Sequence, residues 1–219
     1  MRLEDLFHGT RRRLGIGSWW RDYFERRFAV RDPWSCETSE YELKKYQRTI
    51  DVIPAIDGAE ILEVGCAEGV FTARLAERCS SVLAVDICAL ALARARDRCA
   101  ALPAARFARF DVACAPVIGK YDAIVCAEVL YYLHQRGLCI ARDHLVSALK
   151  PAGHVVLVHP QKDATRVTPV SRVIRCCACA RSELGPTALA PIPSRCSRKS
   201  ENPKARGRRA SIASRFLPR

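Results

Sequence analysis

Between residues 59 and 159, short apolar runs rich in β-branched residues alternate with alanine-rich stretches. That alternation predicts a parallel sheet joined by crossover helices. Residues 59–65 (AEILEVG) read as the first strand and 70–79 as the helix behind it. Residues 81–86 (SVLAVD) form the second strand, and 89–101, rich in Ala and Arg and free of Gly and Pro, the next helix. A weaker strand over 106–111 precedes a near-continuously apolar one over 121–128, the pattern of a strand buried on both faces. A helix around 138–149 and a turn at Lys150-Pro151-Ala152-Gly153 lead to a fifth strand over 154–159 (HVVLVH). Upstream, residues 38–52 read as a helix with Thr38 or Ser39 as its N-cap. Residues 18–30 (SWWRDYFERRFAV) read as another, aromatic along one side and ended by Asp32-Pro33-Trp34.

After Pro160 the pattern fails. Residues 161–219 hold no sustained period of 2 or 3.6 apart from a short stretch at 167–180, and their Arg-, Ser-, Pro-, Ala- and Cys-rich composition is that of disorder. Charge divides at the same place. Residues 161–219 carry 14 Lys or Arg against 3 acidic residues, whereas residues 1–160 carry 22 against 20, out of a net +13 for all 219 residues. The expected organisation is a helical segment (1–35), one α/β domain (36–160) and a basic tail (161–219). Two origins of the tail stay open. One is a shifted reading frame near codons 160–170. The other is a functional basic arm. Phe216 is the tail's sole aromatic, which speaks against nucleic acid as a partner.

No run approaches the roughly 20 apolar residues that span a bilayer, and the opening MRLEDLFHGTRRRLG lacks the form of a secretory signal. No membrane role is expected, and the expected location is cytoplasmic. Eight of the 12 cysteines therefore read as small buried hydrophobes, set singly in runs such as YDAIVCAEV. The cluster Cys176-Cys177-Ala178-Cys179 lacks a second pair at zinc-site spacing, so no metal site is expected. Oligomeric state is not legible.

The chemistry is concentrated in one unit of strand, glycine loop, helix, strand and acid: ILEVGCAEGVFT followed by SVLAVD. Gly65 and Gly69 allow a sharp turn and a close approach of backbone to a ligand. Asp86, at the tip of the adjacent strand, can grip two ribose hydroxyls. A pyrophosphate site wants G-x-G-x-x-G/A, but counting from Gly65 the chain has Ala67 and Val70 at the other two positions, with Glu68 between them. Glu68 would repel phosphate. An ammonium and a sulfonium, as in S-adenosylmethionine, suit these acids, and Glu63 fits the same preference.

The segment Glu63-Val64-Gly65-Cys66-Ala67-Glu68-Gly69 resembles the first motif of class I S-adenosylmethionine-dependent methyltransferases. Asp86 resembles their second-strand acid, Phe110-Asp111-Val112 the segment that meets the adenine, and residues 121–130 (YDAIVCAEVL) their fourth-strand motif. Within that superfamily the chain is most similar to the nodulation protein S type, N-methyltransferases of de-N-acetylated chitooligosaccharides. Asp32-Pro33-Trp34, YELKKY (41–46), LEVGCAEGVFT and AEVLYYL carry that likeness, over residues 32–160. The resemblance implies a Rossmann-like, doubly wound, mostly parallel sheet with its C-terminal strand pair missing or altered. It implies S-adenosylmethionine as cofactor, with Glu63, Gly65, Cys66, Ala67, Gly69 and the backbone near Ala127 around the methionine end. Asp86 and Ile87 would take the ribose, and Asp111 with the Val112 amide the adenine. Tyr41 and Lys45, on the helix before the sheet, would close over the cofactor. Ala67 departs from the pattern, where many relatives carry a second glycine.

On the acceptor side, Glu128 follows the fourth strand, placed to accept a proton from an amine or hold its ammonium, with a solvated turn residue as the alternative. Asp111 has a similar plain alternative as a strand-end cap. His159, at the tip of the fifth strand, is a second candidate base. Trp34 beside the site, with Tyr131 and Tyr132 as one core and one pocket residue, are candidates for substrate contact. Methyl transfer is an in-line displacement that needs mainly alignment, and no His–Asp pair stands ready to activate a hydroxyl. These features favour nitrogen in a small-molecule or oligosaccharide acceptor. O- or C-methylation of a small metabolite, and a non-catalytic cofactor-binding protein, remain the competing readings.

Overall fold

The computed structural model describes residues 17–53 and 56–158. Five strands make one sheet: β1 (Glu60–Val64), β2 (Ser81–Asp86), β3 (Ala105–Arg109), β4 (Tyr121–Ala127) and β5 (Leu149–Val158). Their order is β3-β2-β1-β4-β5, and every neighbouring pair is parallel. β1 is therefore central, and the strand order reverses beside it, where open α/β sheets bind ligands outside the strands' carboxyl ends.

The period of 2 within the strands distributes the core between two faces. Ile61, Val82, Ala123, Val125 and Val156 meet Tyr46 and Ile50 of α2 (Glu40–Asp51) and Phe71 and Leu75 of α3 (Val70–Ala76). Ala84 meets Leu92 of α4 (Ala89–Arg98) on that same face. Leu62, Val64, Val85, Ile124 and Cys126 face the other way, onto Ala141 and Leu145 of α5 (Gln135–Ser147). This is the doubly wound arrangement expected. Ser39 caps α2 through its hydroxyl, which accepts from the Glu42 amide.

α1 (Gly17–Arg27) packs on this body through its Phe24 and through Phe28 just beyond its end, which join Ala67, Cys88 and Ala91. One expected element differs. Residues 150–153 do not form a turn ahead of the last strand; they lie within β5, as an irregularity where the register jumps from Tyr121↔Leu149 to Ala123↔His154. Ala152 there has φ +62°, the local kink that a bulge demands. All eight cysteines among the described residues are free, five of them buried. Among the described residues no helix is long and apolar enough to cross a membrane. The expectations for the strand pair after Pro160, for the basic tail and for His159 lie outside the described residues.

Candidate active site

The glycine loop leaves β1 at Gly65, whose amide donates to the Val85 carbonyl at 2.8 Å, as does that of Cys66 at 3.2 Å. Gly65 has φ +81°, and a Cβ there would stand 2.8 Å from Cβ of Val129, beyond the tip of β4. The bare backbone is thus what lets the two strand ends converge. Gly69, φ +77°, is pressed against Ala95 of α4, with Cβ–Cβ at 2.9 Å for an added methyl. Its lack of a side chain serves the helix contact rather than ligand approach. Cys66 between them is buried. Ala67 adopts φ +49° without being glycine, a conformation held by its surroundings.

What holds Ala67 is Asp86. One carboxylate oxygen accepts the Ala67 amide and the other the Cys88 amide, each at 2.9 Å. Burial raises the Asp86 pKa, against those two amides, which favour the charged form. Ile87 is half-buried, its carbonyl accepting from Nε of Arg109 at 2.9 Å. Glu63 points beneath the loop, 2 % exposed, and accepts from the Thr72 hydroxyl of α3 at 2.6 Å. Burial pushes its carboxyl up to about 7, despite that hydrogen bond and helped by the nearby Asp86 charge. Asp111 is committed to its own turn, one oxygen accepting from the Ala113 amide at 2.9 Å, as the capping alternative has it. Val112 is buried, and its carbonyl pairs with the His144 ring of α5 at 2.8 Å.

Across the mouth, β4 ends at Ala127, half-buried, and Glu128 follows with φ +55°. The strained turn aims Glu128 at α2, where Nζ of Lys45 lies 3.3 Å from its carboxylate. Lys45 is buried and also pairs with Glu42 at 2.7 Å, with Tyr41 and Tyr46 rings 5.6 and 5.9 Å from its ammonium. Burial pulls the ammonium down, but the hydrogen bond to Glu42 and the charges of Glu128 and Glu42 outweigh it, so the Lys45 pKa is raised. Lys45 is therefore engaged with two carboxylates rather than free to close over a cofactor, because a buried ammonium needs partners. Tyr41 itself is exposed.

Past Glu128, a single 3-10 turn (Leu130–Tyr132) carries the two tyrosines, Tyr131 and Tyr132. Tyr132 packs edge-on against Trp20 and Phe24 of α1, with ring centroids at 4.9 and 5.0 Å. Tyr131 is exposed, its ring 4.4 Å from that of Tyr132. Trp34 stands at the edge of this cluster, 5.1 Å from Phe28 and 5.5 Å from the Arg27 guanidinium. No cluster of three metal-ligating side chains occurs among the described residues.

Two carboxylates that tie the N-terminal segment to this site were not singled out for that task by the sequence. Glu25 of α1 accepts the Ala89 amide at 2.7 Å and so caps α4, while Arg109 pairs with it at 3.0 Å. Glu68 does not face the mouth as the cofactor-discriminating acid expected. It is 3 % exposed and paired with Arg94, because the loop turns its side chain toward α4. Spacing held one clue: Arg94 and Arg98, four apart on α4, share a helix face.

The fold agrees with what is found among known proteins. The family model for Nodulation protein S (NodS) matches residues 18–168. Nodulation protein S of Azorhizobium caulinodans is 30 % identical over 150 residues, 67 % of this chain and 71 % of that protein. Its counterpart in Bradyrhizobium diazoefficiens is 37 % identical over 129 residues, 58 % of this chain and 62 % of that protein. Among solved structures, the N-methyltransferase NodS from Bradyrhizobium japonicum WM9, in complex with S-adenosyl-L-homocysteine, aligns with a TM-score of 0.59 at 31 % identity. That alignment covers 63 % of this chain and 71 % of the other.

Proposed function

The chain belongs to the nodulation protein S family of S-adenosylmethionine-dependent methyltransferases, and we propose that it transfers a methyl group to the nitrogen of a primary amine carried by a small molecule or amino sugar. The observation that carries this reading is the pair at the mouth, Glu128 holding the Lys45 ammonium at 3.3 Å. A carboxylate strained into position at the tip of β4 and already engaged with one ammonium is the group an acceptor ammonium would find.

The donor set fits S-adenosylmethionine. Asp86 keeps unused lone pairs on both oxygens for ribose hydroxyls, since each accepts one amide. Ile87 and residues 110–112 wall the base, with the backbone of Asp111 and Val112 at its edge. Gly65, Cys66 and Ala67, with Ala127 opposite and Glu63 in support below, enclose the amino-acid end. When bound, the cofactor supplies a methyl on a sulfonium, open to in-line displacement by a lone pair. Glu128 orients the acceptor nitrogen and takes up its proton, and Lys45 keeps the carboxylate aimed. Trp34 and Tyr131 bound the space left for the acceptor.

Product analysis by mass spectrometry tests the reading. A glucosamine-terminated oligosaccharide and a simple alkylamine should gain a methyl on nitrogen, while hydroxyl-only sugars should not. Glu128→Gln should lower kcat about 100-fold and leave S-adenosylhomocysteine affinity unchanged. Methylation confined to oxygen or carbon would overturn the proposal, and cofactor binding without turnover on any acceptor would favour a non-catalytic role.

A further inference from the structure

Glu68 sits in the glycine loop, yet its carboxylate serves another segment. Both of its oxygens accept the Asp32 backbone N–H, at 3.2 and 3.1 Å, and Arg94 of α4 pairs with it. The Glu68 carbonyl accepts from Nε of Arg98 at 2.9 Å, and the Arg98 guanidinium continues to Glu37. Asp32 closes the circuit, its carboxylate accepting the Cys36 amide at 2.6 Å and the Glu37 amide at 3.0 Å. Arg94 also donates to the Val30 carbonyl at 3.3 Å. Asp32 is held at φ +45° and Ser35 at φ +57°, two left-handed residues in one short loop. Such a loop keeps its shape only where contacts over-determine it.

We infer that Glu68 is a positioning residue for the acceptor: it fixes the loop at 30–37, and with it Trp34 and the start of the helix bearing Lys45, against the glycine loop. The inference rests on the methyl-transfer reading given above. The chain's two ligands are then coupled through one side chain, because Ala67, its neighbour, is bound to Asp86. The acceptor wall is set in register with the cofactor loop by Glu68, whose carboxylate touches neither ligand.

Hydrogen exchange on the full chain tests this directly, together with kinetics. In Glu68→Gln the amides of Asp32, Cys36 and Glu37 should exchange at least tenfold faster, while those of Ala67 and Cys88 keep their protection. KM for the glucosamine-terminated probe should rise about tenfold, kcat at saturation should fall less than threefold, and S-adenosylhomocysteine affinity should stay within threefold. Arg94→Lys, which keeps a cation beside Glu68, should retain most of the amide protection. Unchanged exchange at Asp32, Cys36 and Glu37 overturns the inference. So does a loss of cofactor affinity as large as the rise in KM, which would make Glu68 an ordinary part of the cofactor loop. If the wild-type protein fails to methylate the amine, the proposed acceptor is wrong, and the exchange measurements alone then decide the role of Glu68.

Discussion

The two sides of the site are built by different means. On the proposed cofactor side, backbone does the work: Gly65 at φ +81°, Ala67 at φ +49° and two amides bound to Asp86 shape the cradle. On the proposed acceptor side, side chains do it: Lys45 between Glu42 and Glu128, and rings of Trp20, Phe24, Tyr132 and Tyr131 in mutual contact. A cradle of amides recognises one shape and tolerates few backbone changes. A wall of side chains can be altered one residue at a time, so substrate choice has room to vary while cofactor choice does not.

Asp86→Ala should break the cofactor side alone. Removing the carboxylate takes away charge-assisted bonds to a ribose, at a cost of about 2–4 kcal/mol in binding. Calorimetric titration with S-adenosylhomocysteine should show roughly 30-fold to 1,000-fold weaker affinity, and an unchanged value would remove Asp86 from the site. Glu63 sharpens the same side through pH. Its folded-state pKa of about 7 lies above the ordinary 4.5, so it favours the folded state only while protonated. That contribution is fully present below about pH 4.5 and lost as pH rises through about 7, on the order of 3 kcal/mol. Glu63→Gln stays neutral and keeps the Thr72 bond. Its melting temperature should match wild type near pH 4.5 and exceed it by several degrees at pH 8. A constant difference across that range would show that Glu63 does not titrate there. The smallest effect belongs to the acceptor side. Tyr131 is 42 % exposed, so Tyr131→Ala should raise KM for the amine about 2- to 10-fold while the melting temperature moves by no more than ~2 °C. A large loss of stability would make Tyr131 a packing residue instead.

Much of this contrast could be read from the chain. The ladder β1, β2 and β4 was legible because short, mostly apolar, β-branched runs such as ILEV, SVLAVD and AIVCA have few other uses. Gly65 and Asp86 were legible as a tight strand-end turn and the acid beside it, because such a turn needs particular residue types at particular spacings. The last strand was misjudged at its start: a Pro-Ala-Gly stretch reads as a turn, and only pairing with β4 shows that it continues the strand as a bulge. The ion pairs of Glu68 and Lys45 were not legible. Sequence spacing does not say which way a long side chain turns, and each meets an oppositely charged partner from another segment. Glu25 escaped notice for the same reason, its partner amide lying 64 residues away.

The central place of β1 also sets an order of assembly. Glu60 pairs with Ser81 of β2, whereas Ile61 must wait for Ala123 of β4. Long crossovers of this kind are slow to close. As the chain leaves the ribosome, the three strands of the cofactor side are complete once Arg109 has emerged, with the apolar far edge of β1 still unpaired. At ~5–20 residues per second, Glu128 follows roughly 1–4 s later. Through that interval the nascent protein is half a sheet with one sticky border, and β4 both covers that border and brings Glu128, the carboxylate proposed for the acceptor side.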